Sequence, residues 1–122
     1  MYDQAEELKN RSKQFAIRIV HLFRSLPKTD EARVIGKQLL RSGTSVAANY
    51  HAVCRARSRA EFISKIGVVV EEADESVFWL ELLIDLGIVH QEPTNDLARE
   101  ANELLVIFAA SQRTARRGTP KK

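Results

Sequence analysis

Residues 41–50 read RSGTSVAANY, and this stretch decides whether the chain is helical throughout or is interrupted by a loop that cradles a phosphate. Small and apolar residues at Leu39, Gly43, Val46 and Tyr50 keep a helical spacing across it, which favours one continuous helix. A phosphate-binding loop would follow a strand and carry a lysine after the small residues, and neither feature is present. Because a glycine inside a helix costs about 1 kcal/mol relative to alanine, we predict that Gly43 lets a neighbouring helix approach closely.

Periodic apolar residues on both sides of this stretch predict three more helices. The four predicted helices cover about residues 3–26, a segment that begins near Thr29, the segment from the capping box Ser58–Glu61 to Gly87, and Thr94 to about Arg116. Four amphipathic helices with short connections predict an all-α, antiparallel up-down-up-down four-helix bundle. We expect a single domain over residues 1–116 and a disordered basic tail over residues 117–122.

The third helix is apolar on more than one side. Its predicted core seam consists of Ile66, Val70, Ala73, Val77, Leu80 and Ile84. A second apolar stripe lies away from this seam and consists of Val68, Phe78, Trp79, Leu82 and Leu86. A bundle of this length cannot enclose a helix on all sides, so the second stripe predicts an interface between copies in a homo-oligomer. The alternative is that loops or the flank of the fourth helix cover these residues.

Charge is unevenly distributed along the chain, although the net charge is only +3. Residues 71–86 hold six acids and no base, whereas residues 33–59 hold six bases and no acid. The last ten residues, 113–122, add five more bases. This separation favours a basic surface that attracts an anionic partner.

The sequence predicts a cytoplasmic protein that does not enter the membrane. The single cysteine, Cys54, can form no intrachain disulfide, which is typical of a reducing compartment. The first 13 residues are polar and mixed in charge, unlike a secretory signal. No apolar run approaches the roughly 20 residues that a membrane helix requires.

The residues that carry chemistry do not combine into a known catalytic or metal-binding pattern, and we predict a non-enzymatic protein without a cofactor. None of His21, His51 and His90 follows a glutamate by three residues, as a di-iron site in a helical bundle would require. Cys54 is interpreted as a small packed residue rather than a nucleophile. No nucleophile elbow, Walker loop or dinucleotide-binding fingerprint is present.

One side of the second helix is the best candidate for a binding site. The predicted nucleic-acid-binding residues are Arg33, Lys37, Arg41, His51, Arg55 and Arg59. Bases spaced by helical turns can follow a phosphate backbone, so RNA or DNA is the expected ligand. No aromatic residues interleave with them, so base stacking is not indicated. The alternative is an ordinary solvated face on a protein–protein scaffold.

Residues 38–83, from QLLRSGTSVAANYHAVC to VFWLELL, resemble a family of small bacterial proteins first noticed as reading frames inside intervening sequences of 23S ribosomal RNA genes. The resemblance extends over most of residues 8–110. It implies an antiparallel four-helix bundle that assembles into a homopentamer with a basic surface suited to nucleic acid. Related accessory proteins of diversity-generating retroelements bind a reverse transcriptase and RNA, which makes a reverse transcriptase a second expected partner.

The family signature in the second helix corresponds here to Arg41, Ser42, Gly43, Ser45 and Asn49, and Phe62 marks the third helix. The chain departs from the pattern where the family commonly has a glutamate three residues after the asparagine, because Ala52 occupies that place. The resemblance implies that a polar contact made by this glutamate is lost, or replaced by one of the neighbouring side chains His51 and Arg55.

Overall fold

The computed structural model describes residues 3–118, and within that range it consists of four α-helices without strands. The helices are α1 (Gln4–Ser25), α2 (Asp30–Val53), α3 (Arg59–Asp85) and α4 (Gln91–Arg117). Consecutive helices pack side by side, and α1 also contacts α4. This arrangement confirms the predicted all-α four-helix bundle.

Local sequence signals fix most of the helix ends. Asp3, Thr29 and Ser58 cap α1, α2 and α3 by accepting backbone N–H groups of the first turn. The predicted capping box at α3 is only half formed, because the Glu61 carboxylate accepts the backbone N–H of Arg57 (2.9 Å) instead of that of Ser58.

The end of α3 has the predicted glycine motif. Gly87 has a φ of 69°, and the N–H groups of Gly87 and Ile88 bond to the carbonyls of Ile84 and Leu83 at 3.0 and 3.1 Å. This pair of bonds is the Schellman arrangement, which uses the left-handed conformation that glycine adopts readily.

The predicted start of α4 is wrong by three residues. The helix begins at Gln91 and contains Pro93 in its first turn, where the missing N–H of proline has no helical acceptor to lose. It also continues to Arg117, the first residue of the expected tail. Residues 119–122, where the rest of that tail was predicted, lie outside the described residues.

The buried face of α3 differs from the predicted seam. Val69 and Leu83 are fully buried, whereas Val70 and Ile84 are only half-buried. The reason is that α3 packs against α2 on one side and α4 on the other, and apolar residues on several sides leave its rotation undetermined by the sequence.

The interface between α1 and α4 is the smallest of the four. Arg11 of α1 donates two N–H groups to Glu100 of α4, at 2.9 and 2.6 Å, and also pairs with Glu103 at 3.0 Å. Two helical turns further along α1, Arg18 pairs with Asp96 at 2.7 Å. Ion pairs therefore close this side of the bundle.

Candidate nucleic-acid interface

The outer face of α2 carries a row of exposed bases. Arg33, Lys37, His51 and Arg55 all have exposed side chains, and we call this set the α2 stripe. At about 1.5 Å per residue, the helical part of the stripe from Arg33 to His51 is about 27 Å long. Within residues 3–118 no member forms an ion pair or a side-chain hydrogen bond with the protein. The α2 stripe is therefore available to an anionic ligand.

Arg41 was predicted to belong to this face, but its guanidinium binds carboxylates of α3. It donates to Glu75 at 2.6 Å and to Glu72 at 3.2 Å. The hydrogen bond to Glu75 raises the pKa of Arg41 and in turn lowers the pKa of the Glu75 carboxyl. The other oxygen of Glu75 accepts the indole N–H of Trp79 at 3.3 Å. Arg41 thus links the two helices and carries a largely compensated charge.

Arg59 was also predicted as a nucleic-acid ligand, and it too makes an intramolecular contact. Its Nε donates to the carbonyl of Ala115 at 2.9 Å and its Nη2 to that of Arg116 at 3.1 Å. These carbonyls lie in the last turn of α4, where a cation is stabilised by the helix dipole. Gly118, which has a φ of 73°, leaves room for the guanidinium, because a Cβ there would overlap it.

The signature residues of α2 hold the bundle together. Ser42 and Ser76 are fully buried and hydrogen-bonded to each other across the α2–α3 interface. Gly43 faces α1, and a Cβ built there would lie 2.8 Å from Cγ1 of Ile19, so the predicted close approach of a second helix is present. Asn49 donates to the carbonyl of Ser45 at 2.9 Å within α2. These residues explain the helix packing and leave the outer face free.

Gly36 is a second close-approach position that the sequence reading missed. A Cβ there would lie 2.5 Å from Cδ1 of Leu26 and 3.2 Å from Phe23. It precedes Gly43 by seven residues, two helical turns, so both glycines face α1. That spacing is the signal that could have revealed it.

Ala52 lines a shallow concavity of about 380 Å³ at the junction of α2 and α3. The other lining residues are His51, Arg55, Arg57, Glu61 and Lys65. Neither His51 nor Arg55 makes a side-chain hydrogen bond within residues 3–118, so neither supplies the polar contact implied for a glutamate at position 52. Glu61 is the one acid in this concavity.

The predicted oligomer interface divides into two parts. Phe78 and Leu86 are 55% and 56% exposed and Val68 is 37% exposed, whereas Trp79 and Leu82 pack partly against the core. The rings of Phe78 and Trp79 meet edge to face with centroids 4.9 Å apart. The loops and α4 therefore do not cover this stripe.

Val34 extends the apolar surface onto α2 and was not predicted. It is 63% exposed and lies eight residues before Ser42. In an antiparallel pair centred on Ser42 and Ser76, that position is level with the last turns of α3, between Leu82 and Leu86. Val34 is thus level with Leu86 near this end of the bundle, whereas Val68 lies in the first half of α3.

Cys54 is exposed, which corrects its interpretation as a packed residue, because it lies just after the last turn of α2. Desolvation is the main cause that raises the pKa of its thiol, and the same cause raises the pKa of Tyr50 to about 12. A raised thiol pKa lowers the fraction of reactive thiolate. No group of three or more His, Cys, Asp and Glu residues within the described range could hold a metal ion.

A cavity of about 610 Å³ lies at the end of the bundle away from Cys54, between the end of α1 and the start of α4. Its walls are mainly apolar and include His21 and His90. This cavity could not be predicted from the sequence, because its walls come from two loops and two helix ends. No helix among residues 3–118 is long and apolar enough to cross a membrane.

Comparisons with known proteins agree with the resemblance seen in the sequence. The family model described as 23S rRNA-intervening sequence protein matches residues 5–110. A crystal structure of a protein with unknown function from the S23 ribosomal protein family, from Bacteroides thetaiotaomicron, is 35% identical and superposes with a TM-score of 0.84. The match covers 92% of this chain and 100% of that chain. No curated protein matches.

Proposed function

The chain belongs to the family of 23S rRNA-intervening sequence proteins, and from this premise we propose that it is a non-enzymatic, homo-oligomeric helical bundle that binds RNA. The binding surface is the α2 stripe of Arg33, Lys37, His51 and Arg55. The supporting observation is that these bases are exposed and unpaired in the described part of the chain, whereas Arg41 and Arg59 are held by intramolecular contacts.

The spacing of the α2 stripe supports recognition of a phosphate backbone rather than of bases. From Arg33 onward α2 carries no acid, and its two carboxylates, Asp30 and Glu31, are confined to the first turn. Tyr50, the aromatic residue between Lys37 and His51, is buried in the core, so it is not available to stack with a nucleobase. Binding of this kind is independent of sequence, with a Kd of about 10⁻⁴ to 10⁻⁶ M at physiological salt.

Assembly would multiply this weak surface. The exposed apolar patch around Phe78 and Leu86 supports self-association, since aromatic and large apolar residues dominate such interfaces. Several copies of the α2 stripe in one particle would bind one RNA with an affinity above that of a single copy. A homopentamer with a reverse transcriptase as a further partner is proposed on the resemblance alone. A cytoplasmic location is proposed from the single cysteine, and DNA as an alternative ligand from the spacing of the α2 stripe.

The test is fluorescence anisotropy of a labelled single-stranded RNA at salt concentrations between about 50 and 200 mM. Replacing Arg33, Lys37 and Arg55 by glutamine removes three charges from the α2 stripe. Lys13, Arg24 and Arg99, which are exposed on α1 and α4, provide a control that removes the same charge when changed to glutamine. We expect weakening by about tenfold or more at low salt in the stripe variant only.

A protein–protein scaffold is the second candidate function. The exposed apolar patch favours it, because such a patch can receive another protein as well as another copy of this chain. Absence of RNA binding by the wild-type protein, or equal binding by the stripe and control variants, would reject the RNA-binding proposal in favour of the scaffold.

A further inference from the structure

The start of α3 and the end of α4 bring together bases that are far apart in the sequence. The guanidinium of Arg59 spans from the first residue of α3 to the carbonyls of Ala115 and Arg116. One arginine side chain therefore bridges the two helix ends. Arg57 lies in the loop just before α3, and Arg116 and Arg117 end α4, so these three basic residues lie at the same end of the bundle, which we call the corner.

Because Arg59 caps α4, the basic side chains in the last turn of α4 are not needed as caps. The last carbonyls of a helix are commonly satisfied by basic side chains of its own last turn. Here Arg59 and the backbone N–H of Gly118 take those carbonyls, the latter with bonds of 3.2 and 3.1 Å to Thr114 and Ala115. The exposed guanidiniums of Arg116 and Arg117 make no hydrogen bond or ion pair with residues 3–118.

The junction between α2 and α3 is satisfied in a similar way. The backbone N–H groups of Cys54, Arg55 and Ala56 close the end of α2 by bonding to its carbonyls at 3.0–3.1 Å. The side chains of Arg55 and Arg57 are therefore not needed as caps. Arg57 is 90% exposed, and its one ion-pair contact, with Glu61, is long at 3.9 Å.

The charge at this corner is nearly all of one sign. The concavity beside Ala52 is lined by Arg55, Arg57 and Lys65, and its one carboxylate, Glu61, lies 3.9 Å from both Arg57 and Lys65. Further acids at this end, Asp3 and Glu6, belong to α1 and act on the Cys54 thiol. The basic side chains at this end therefore lie in the α2–α3 concavity and on the last turn of α4.

We propose that the basic residues Arg57, Arg116 and Arg117 at this corner form a second phosphate-binding surface that continues the α2 stripe around the end of the bundle. Arg55 joins the two surfaces, because it belongs to the stripe and lines the concavity. The ligand is the phosphodiester backbone of RNA, held by guanidinium groups that donate to phosphate oxygens. Arg59 is a positioning residue that holds the α4 bases at the corner. This inference rests on the proposed RNA binding.

The experiment compares three variants of the full chain by anisotropy of the same labelled RNA. The corner variant carries Arg57→Gln, Arg116→Gln and Arg117→Gln. The stripe variant is used here without the change at the shared residue Arg55, and so carries Arg33→Gln and Lys37→Gln. The control carries the three glutamines on α1 and α4. Because each phosphate contact in a single strand contributes about 0.7 to the slope of log K against log salt, the corner variant should lower the slope by about 2.

We expect the corner variant to bind RNA about tenfold more weakly than the control at low salt. Equal affinity and equal salt dependence of the corner and control variants would overturn the proposal that the corner binds RNA. A loss of RNA affinity in the stripe variant would still support the α2 stripe. Failure of the wild-type protein to bind RNA would reject both. Circular dichroism of each variant checks that the three substitutions have left the helices intact.

Discussion

The hydroxyl groups of Ser42 and Ser76 are hydrogen-bonded to each other, with 3.0 Å between their Oγ atoms, in the fully buried interface of α2 and α3. Each hydroxyl has one proton and a second acceptor in its own helix. These acceptors are the carbonyls of Leu39 at 3.3 Å and Glu72 at 2.8 Å. Whichever serine donates to the other, the second serine can donate its proton to the carbonyl in its own helix. Both hydroxyls are therefore hydrogen-bonded although they are buried.

Replacing both serines by alanine should cost less free energy of unfolding than the sum of the two single changes. Each single change should cost about 1 kcal/mol and removes the shared hydrogen bond between the serines, which the double change removes only once. Urea denaturation in a double-mutant cycle should give a coupling of about 0.5 kcal/mol or more. The pair Ser12 and Ser76, on helices that do not pack together, serves as the additive control.

Gly43→Ala and Gly67→Ala should change stability in opposite directions. A Cβ at Gly43 would meet Ile19 at 2.8 and 3.0 Å in the packed core, and we expect a loss of about 1–3 kcal/mol. A Cβ at Gly67 would meet only the side-chain amide of Gln112 at 3.0 Å, which can rotate away. Gly67→Ala should therefore gain up to about 1 kcal/mol of helix propensity. Thermal or urea denaturation of the two variants decides the signs, and a stabilising Gly43→Ala would contradict the close packing.

Protonation of Glu75 should be visible in the fluorescence of the single tryptophan, because Trp79 donates to this carboxylate. Arg41 lowers the pKa of Glu75, so the ion pair stabilises the fold above the usual glutamate pKa of about 4.3 and is lost as the pH falls through the lower folded value. The fluorescence transition should vanish in Glu75→Gln and move to higher pH in Arg41→Gln. An unchanged midpoint in Arg41→Gln would rule out this coupling.

Tyr50 should ionise at a pH of about 12, because burial raises the pKa of its hydroxyl. A folded pKa above the unfolded value of about 10 means that this stabilisation is complete below pH 10 and is lost as the pH rises towards 12. An alkaline absorbance titration of a Tyr2→Phe variant isolates Tyr50, since the chain has two tyrosines. A midpoint near 10 in the folded protein would show that the ring, which packs 5.0 Å from that of Phe108, is not shielded.

Sedimentation velocity should separate the proposed oligomer interface from exposed apolar residues in general. Phe78→Ser with Leu86→Ser should dissociate the particle, because each side chain is more than half exposed on the apolar patch. Val106→Ser, at a residue 65% exposed on α4, should leave the assembly unchanged. A wild-type protein that sediments as a monomer at micromolar concentration would refute self-association.

The sequence predicted those features that depend on neighbouring residues. The N-caps Thr29 and Ser58 and the Gly87 turn follow from local hydrogen bonding and backbone freedom, and the helical period passes through Gly43 without a break. The rotation of α3 could not be predicted in the same way, because apolar residues surround it and only contact with both neighbours selects Val69 and Leu83.

The candidate site depended on contacts between residues distant in the chain. Periodicity placed Arg41 on the basic face, but its partners Glu72 and Glu75 lie more than 30 residues away. The charge pattern held a signal for them, since a helix with bases and a helix with acids can neutralise each other when they pack together. Nothing local pointed to the cap of Arg59 on α4, which depends on how the helix ends meet.

The small α1–α4 interface, closed by Arg11 and Arg18, is where we expect the bundle to open first. Ion pairs at a partly exposed seam are screened by salt, whereas the apolar contact and buried serines between α2 and α3 are not. In native-state hydrogen exchange, the amides of α1 and α4 should form the outer, earlier-opening layer and the α2–α3 hairpin the last protected unit. During unfolding the protein therefore behaves as one persistent hairpin with two helices that detach from it.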